Sequence, residues 1–125
     1  MKNAFLVGIG GFVGAVARYW VAGWAYQLLG AAFPVGTLTV NITGSFFIGV
    51  ANGFAEWFQW FTPKTRAFLF IGFFGSFTTF STFTYEMFAL VRDGQWLSAV
   101  AYVMLHLVLG FLAVFLGFEL VKLWR

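Results

Sequence analysis

Ten consecutive residues carry six hydroxyls: Gly75-Ser76-Phe77-Thr78-Thr79-Phe80-Ser81-Thr82-Phe83-Thr84. Gly, Ser and Thr are poor helix formers, and the hydroxyls compete with a helix for its own backbone bonds. The run therefore predicts a helix interrupted near 75–80. Inside a membrane an interruption is tolerated only where it is buried in protein or lines a cavity. Free carbonyls and amides at such breaks bind ions. The alternative is an unbroken helix that packs a Phe/Thr face on its neighbours.

Other polar residues fall at helical spacing in apolar surroundings. Thr37, Asn41 and Ser45 share one face. Asn41 offers two donors and an acceptor, and serves equally well as interhelical glue or as a ligand. Tyr102, His106 and Gly110 share another face. Gly10, Gly14 and Arg18 share a third, where Gly10-x-x-x-Gly14 permits close helix approach, as does Gly49-x-x-x-Gly53. Arg18 is expensive in a membrane unless it is paired, snorkelling or wet. The one candidate intramembrane carboxylate is Glu86.

The elements that must position these groups follow from composition. The 125 residues are 62% hydrophobic and 9% charged, and 19 of them are Phe. Soluble domains carry about 25% charged residues. Seven Lys or Arg and four Asp or Glu cannot cover a soluble surface, so the chain reads as an integral membrane protein. The net charge of +3 forms no basic stripe, which argues against nucleic acid. Each membrane helix needs about 20 apolar residues. Charges and the Gly30, Pro34 and Gly36 punctuation divide the chain into four spans, at roughly 4–28, 36–58, 66–91 and 96–122. They form a single transmembrane domain over 1–125. Continuous rather than alternating apolar runs argue against a β-barrel. Lys2, an apolar stretch and Ala15-Val16-Ala17 resemble a signal peptide, but the stretch holds four glycines and runs on into apolar sequence, so it is read as a retained helix. Lys2, Lys64, Arg66, Lys122 and Arg125 fall on one side and Arg92 on the other, which favours cytoplasmic termini and one orientation per chain.

Several chemistries lack their residues. There is no cysteine and no phosphate-binding G-x-x-x-x-G-K-[ST] loop. The single His has no carboxylate beside it in sequence for a triad, and metal-ligand clusters are missing, so the chain does not read as an enzyme. A small dual-topology proton-coupled exporter of cationic compounds is the alternative transporter. The absence of any acid before Glu56 argues against it. A non-transporting adaptor, whose polar faces serve only helix association, is a third reading.

Gly72-Phe-Phe-Gly75-Ser-Phe-Thr-Thr-Phe-Ser-Thr-Phe83 resembles the signature of the CrcB/Fluc fluoride channels. Gly10-Gly-Phe-Val-Gly-Ala-Val-Ala-Arg18 resembles that family's first-helix pattern, and Pro34-Val-Gly-Thr-Leu-Thr-Val-Asn41 resembles its second-helix start. Glu86 follows the Phe-rich segment as it does in relatives. Ser76 stands where relatives often have Gly or Ala, and Gly110 where several have Ser.

The resemblance implies an all-α, antiparallel, dual-topology homodimer in the bacterial inner membrane, with two passive pores that export fluoride and reduce its toxicity. It implies pore roles for Asn41, Phe80, Phe83, Ser81, Thr82, Tyr102 and His106, with Arg18, Thr79 and Glu86 in vestibule or supporting positions. It also implies a structural sodium ion at the dimer centre, held by the backbone carbonyls of Gly75 and Thr78. Dual insertion comes from the resemblance alone. In such a pore the positive edges of Phe rings and the Asn, Ser, Thr and Tyr donors would replace an anion's water, each weakly enough to let it leave.

Overall fold

The computed structural model of the chain describes residues 3–124, so Lys2 and Arg125 lie outside the described residues. Among these the secondary structure is helical throughout. Helix α1 is Ala4–Leu29, α2 is Val35–Trp57, and α3 covers residues 63–77. Helix α4 is Phe80–Arg92, and α5 is Trp96–Leu120, closed by a 3₁₀ turn at Val121–Trp124. Helices α3 and α4 together make one span, Pro63–Arg92, and among the described residues four spans are long and apolar enough to cross a membrane. That third span begins three residues before the expected position, because Thr62 caps it. The Thr62 hydroxyl accepts from the Thr65 N–H, and Pro63 stands in the first turn, where its missing N–H costs nothing. Gly30 and Gly94 take positive φ (82° and 74°) at the turns that end α1 and α4.

Close packing comes from the glycines. A Cβ on Gly10 would overlap the Phe68 carbonyl oxygen, and one on Gly14 that of Phe73. From the other side, a Cβ on Gly72 would press on the α1 backbone at Val7 and Gly10. Helices α2 and α5 interlock the same way: Gly49 meets the Val114 carbonyl, and Gly117 meets that of Phe46. Both small-residue pairs read from the sequence are therefore helix-packing sites. Ser76 fits because it abuts Gly11.

One feature was not legible. Over Ala67–Phe74 the third span winds as a π-helix, between α-helical turns at Pro63–Arg66 and Gly75–Phe77. Eight residues is long for this conformation, which usually appears as a single bulge. The contact with α1 gives a physical reason. Gly10 and Gly14 are four apart and meet carbonyls five apart, Phe68 and Phe73. A 3.6-residue α-helix turns residues five apart away from one another. The wider i→i+5 winding brings them to one face.

The charges sort by end. Asn3 and Arg66 line one cavity, and the Lys122 ammonium lies 5.7 Å over the Trp57 ring, so Arg66 and Lys122 sit at the end that holds the start of α1 and the α2–α3 connection. Arg92 is at the other end, near which Phe33 of the α1–α2 connection packs edge-on to Tyr102.

Candidate functional site

The interruption lies at Thr78–Thr79. Both residues are extended (ψ 158° and 124°), between the end of α3 and the start of α4. The Thr79 side chain caps α4, accepting from the Thr82 N–H at 3.3 Å and donating to the Thr82 hydroxyl at 3.0 Å. Asn41 clamps the break from α2. Its Oδ1 accepts from the Thr79 N–H at 2.8 Å, and its Nδ2 donates to the Thr79 carbonyl at 3.0 Å. One amide thus replaces both bonds that Thr79 would make in a continuous helix, and its second N–H stays available.

These diversions free two carbonyls. In an unbroken helix the Thr79 N–H would bond the Gly75 oxygen, and the Thr82 N–H would bond the Thr78 oxygen. Here the first goes to Asn41 and the second to the Thr79 hydroxyl. The Thr78 hydroxyl turns back to the Phe74 carbonyl at 2.9 Å. Gly75 is exposed, and a Cβ there would meet only one atom, at 3.8 Å.

Beside the break runs a groove of about 370 Å³ lined by Asn41, Ser45, Thr78, Phe80, Phe83 and His106. The Phe83 ring lies 4.3 Å from His106 and 5.4 Å from Tyr102, while Phe80 is 76% exposed and lies 5.8 Å from Phe83. Ser81 and Thr82 are exposed at the start of α4. Exposed hydroxyls and released backbone are costly against lipid, so this face needs a wet or protein-covered setting.

A second cavity of about 480 Å³ lies on the α1 side of the break, where Arg18, Tyr26, Thr37, Thr79, Thr82 and Glu86 converge. Glu86 is the centre of a network here. Thr37 donates to its Oε1 at 3.0 Å, and the fully buried Tyr102 donates to its Oε2 at 2.5 Å, a length typical of a hydroxyl on a carboxylate. Arg18 is half-buried and makes no ion pair among the described residues.

Asn41, Ser45, Thr78, Thr79, Phe80, Phe83 and His106 line the groove, and Arg18, Thr37, Thr82 and Glu86 line the cavity beside the break. Ser81, by contrast, is exposed at the start of α4, Tyr102 is buried against Glu86 and lines neither, and Gly10, Gly14, Gly49 and Gly53 pack helices together. The Thr37, Asn41, Ser45 face divides by height: Thr37 serves Glu86, Asn41 the break, and Ser45 the groove. Gly110 also faces α2, with Ser45 Oγ 3.8 Å from where its Cβ would stand. Glu86 was legible as a lone carboxylate, but its partners on α2 and α5 were not, because 49 and 16 residues separate them in sequence. Tyr26 lines the cavity and carried no sequence signal beyond its type.

Comparison with known proteins matches residues 5–118 to the family described as CrcB-like protein, Camphor Resistance (CrcB). A protein of Chlorobium chlorochromatii named fluoride-specific ion channel FluC is 50% identical, over 92% of this chain and 88% of its own length. Proteins of the same name from Chlorobaculum tepidum and Rhizobium meliloti are 47% and 44% identical, each over at least 98% of both chains.

Proposed function

The chain belongs to the CrcB family and is a multi-pass membrane protein, and from that premise we propose that it is a passive fluoride-selective channel working as a homodimer in the bacterial inner membrane. The observation that carries this reading is the groove at the break, which gathers weak anion donors and, among the described residues, no fixed acid. The spare Asn41 N–H, the hydroxyls of Ser45, Ser81 and Thr82, and the edges of Phe80 and Phe83 would each replace part of the ion's water. None binds strongly, which suits conduction. His106 lines the groove from α5, and Tyr102, buried behind it against Glu86, would support the path. Arg18, Thr79 and Glu86 would shape its vestibule and hold the break. Transport then needs no energy source, since a cytoplasm-negative potential favours anion exit by about 2.3 kcal/mol per 100 mV.

The residues at the break also fit a sodium ion. The Gly75 and Thr78 carbonyls have had their helical donors diverted, Gly75 is open to approach, and carbonyl oxygens suit a hard cation. Bound there, the ion would supply fixed positive charge and tie chains together. Two carbonyls are too few to replace a cation's water, which supports a second copy supplying two more. Phe80, Ser81 and Thr82 are exposed beside the break, which supports a covering partner, and the family resemblance alone carries its antiparallel insertion.

The test is ion release from liposomes holding the purified protein, read by a fluoride electrode with potassium made permeable. Fast fluoride release without chloride release is expected. No release from folded, dimeric protein would reject a conducting channel and return the polar faces to helix association.

A further inference from the structure

His106 is the only histidine in the chain, and its two nitrogens stand in different circumstances. Nδ1 lies 2.9 Å from the Tyr102 carbonyl, one turn earlier on α5. A carbonyl oxygen only accepts, so Nδ1 carries a hydrogen. Nε2 is buried and has no hydrogen-bond partner among the described residues. The ring is held between Phe83 at 4.3 Å and Tyr102 at 4.4 Å, and it lines the groove with Asn41 and Phe80. With Nδ1 committed, only Nε2 can change state. Neutral, it offers a lone pair, which repels an anion. Protonated, it offers an N–H donor and a full positive charge.

The groups facing the imidazole make this change decisive. Helix α4 contributes Glu86, which lies within electrostatic reach and is already held by Thr37 and Tyr102. Helix α5 contributes Tyr102 itself. Helix α2 brings uncharged Asn41 and Ser45, and Thr78 of the break is uncharged. Arg18 and Tyr26 of α1 line the neighbouring cavity instead. Among the described residues, a protonated His106 would therefore be the only cationic side chain lining the groove.

Resting on the fluoride reading above, we propose that His106 is a proton-linked anion contact: protonated at Nε2 it donates to fluoride in the groove, and neutral it does not. Fluoride passage then rises as pH falls through the imidazole range. Linkage requires the reciprocal effect, so fluoride in the groove favours proton uptake by the ring.

Fluoride release is measured from liposomes with equal pH on both sides, with release from protein-free liposomes subtracted to remove hydrogen fluoride leak. Release is compared at pH 7.5 and 6.0, an interval in which imidazoles change charge. Wild-type release should rise at least about threefold over that interval, and His106→Gln, which keeps a polar planar side chain, should give a flat profile. A flat wild-type profile, or the same slope in folded His106→Gln, overturns the proposal. Failure of the channel reading is a separate result, with wild type silent at every pH. The single imidazole nitrogen-15 signal then decides: a larger protonated fraction at pH 7 on adding sodium fluoride, against sodium gluconate, keeps the proposal, and an insensitive signal overturns it.

Discussion

Asn41→Ala should loosen the break without unfolding the bundle. The substitution removes two hydrogen bonds, at 2.8 and 3.0 Å, and leaves the Thr79 N–H and carbonyl without partners. Interhelical hydrogen bonds in membranes average about 0.6 kcal/mol, whereas an orphaned buried group costs about 1–3 kcal/mol. The groove beside Thr79 is open, so water can reach the orphaned groups and the cost falls between these limits, about 1.4–2 kcal/mol for the pair. At about 1.4 kcal/mol per tenfold, the Thr79 amide should exchange with deuterium about ten- to thirtyfold faster, with buried Ala99 on α5 as the unaffected reference. Asn41→Asp separates structure from conduction. It keeps the acceptor for the Thr79 N–H, loses the donor, and puts a negative charge in the groove. Thr79 exchange should stay within a few-fold of wild type while fluoride release falls at least about tenfold. Unchanged Thr79 exchange in Asn41→Ala would refute the clamp. Full release from Asn41→Asp would refute an anion path past this residue.

Phe80→Ile and Phe83→Ile should each cut fluoride release in liposomes while the proposed dimer survives size-exclusion chromatography. Phe80 is 76% exposed in the single chain, so its loss should leave monomer stability unchanged, and unchanged release would remove the ring-edge mechanism. Gly14→Ala would drive a methyl into the Phe73 carbonyl and should lower thermal stability by about 1–3 kcal/mol, while Gly8→Ala, with nothing within 4 Å, should be neutral in the same assay. Tyr102→Phe removes a hydroxyl that donates to the Glu86 carboxylate and should destabilise by about 1.5–3 kcal/mol in thermal unfolding, with Thr37 still bonded to Glu86.

The four spans were legible because a membrane imposes length and apolarity on each, and charges mark where one stops. The break was legible for a local reason: Thr79 and its neighbours carry their competing hydroxyls in adjacent positions. Asn41 was legible as a polar residue on a helix face, yet nothing near it in sequence chooses between glue and ligand. The geometry makes it glue for the break through the Thr79 backbone, with one N–H left over for a ligand. The Glu86 network stayed hidden because its donors come from two other helices, and pairing across such distances is written in packing, not in spacing.

The π-helical segment is the clearest case of an element decided by a partner. Its sequence, Ala67-Phe-Leu-Phe-Ile-Gly-Phe-Phe74, suits an ordinary helix about as well. What distinguishes it is the backbone it must match: Gly10 and Gly14, four apart on α1, against carbonyls of Phe68 and Phe73, five apart. The consequence reaches the site. Wider winding over 67–74 changes the angular position at which α3 delivers Gly75 and Thr78, and therefore where the two released carbonyls point. A glycine on α1 that touches no polar group of the break thus sets its aim. By this reasoning Gly14→Ala should affect the break as well as the packing. If Gly14→Ala lost stability while Thr79 amide exchange and fluoride release per folded dimer stayed at wild-type values, the winding of α3 and the aim of the break would be independent.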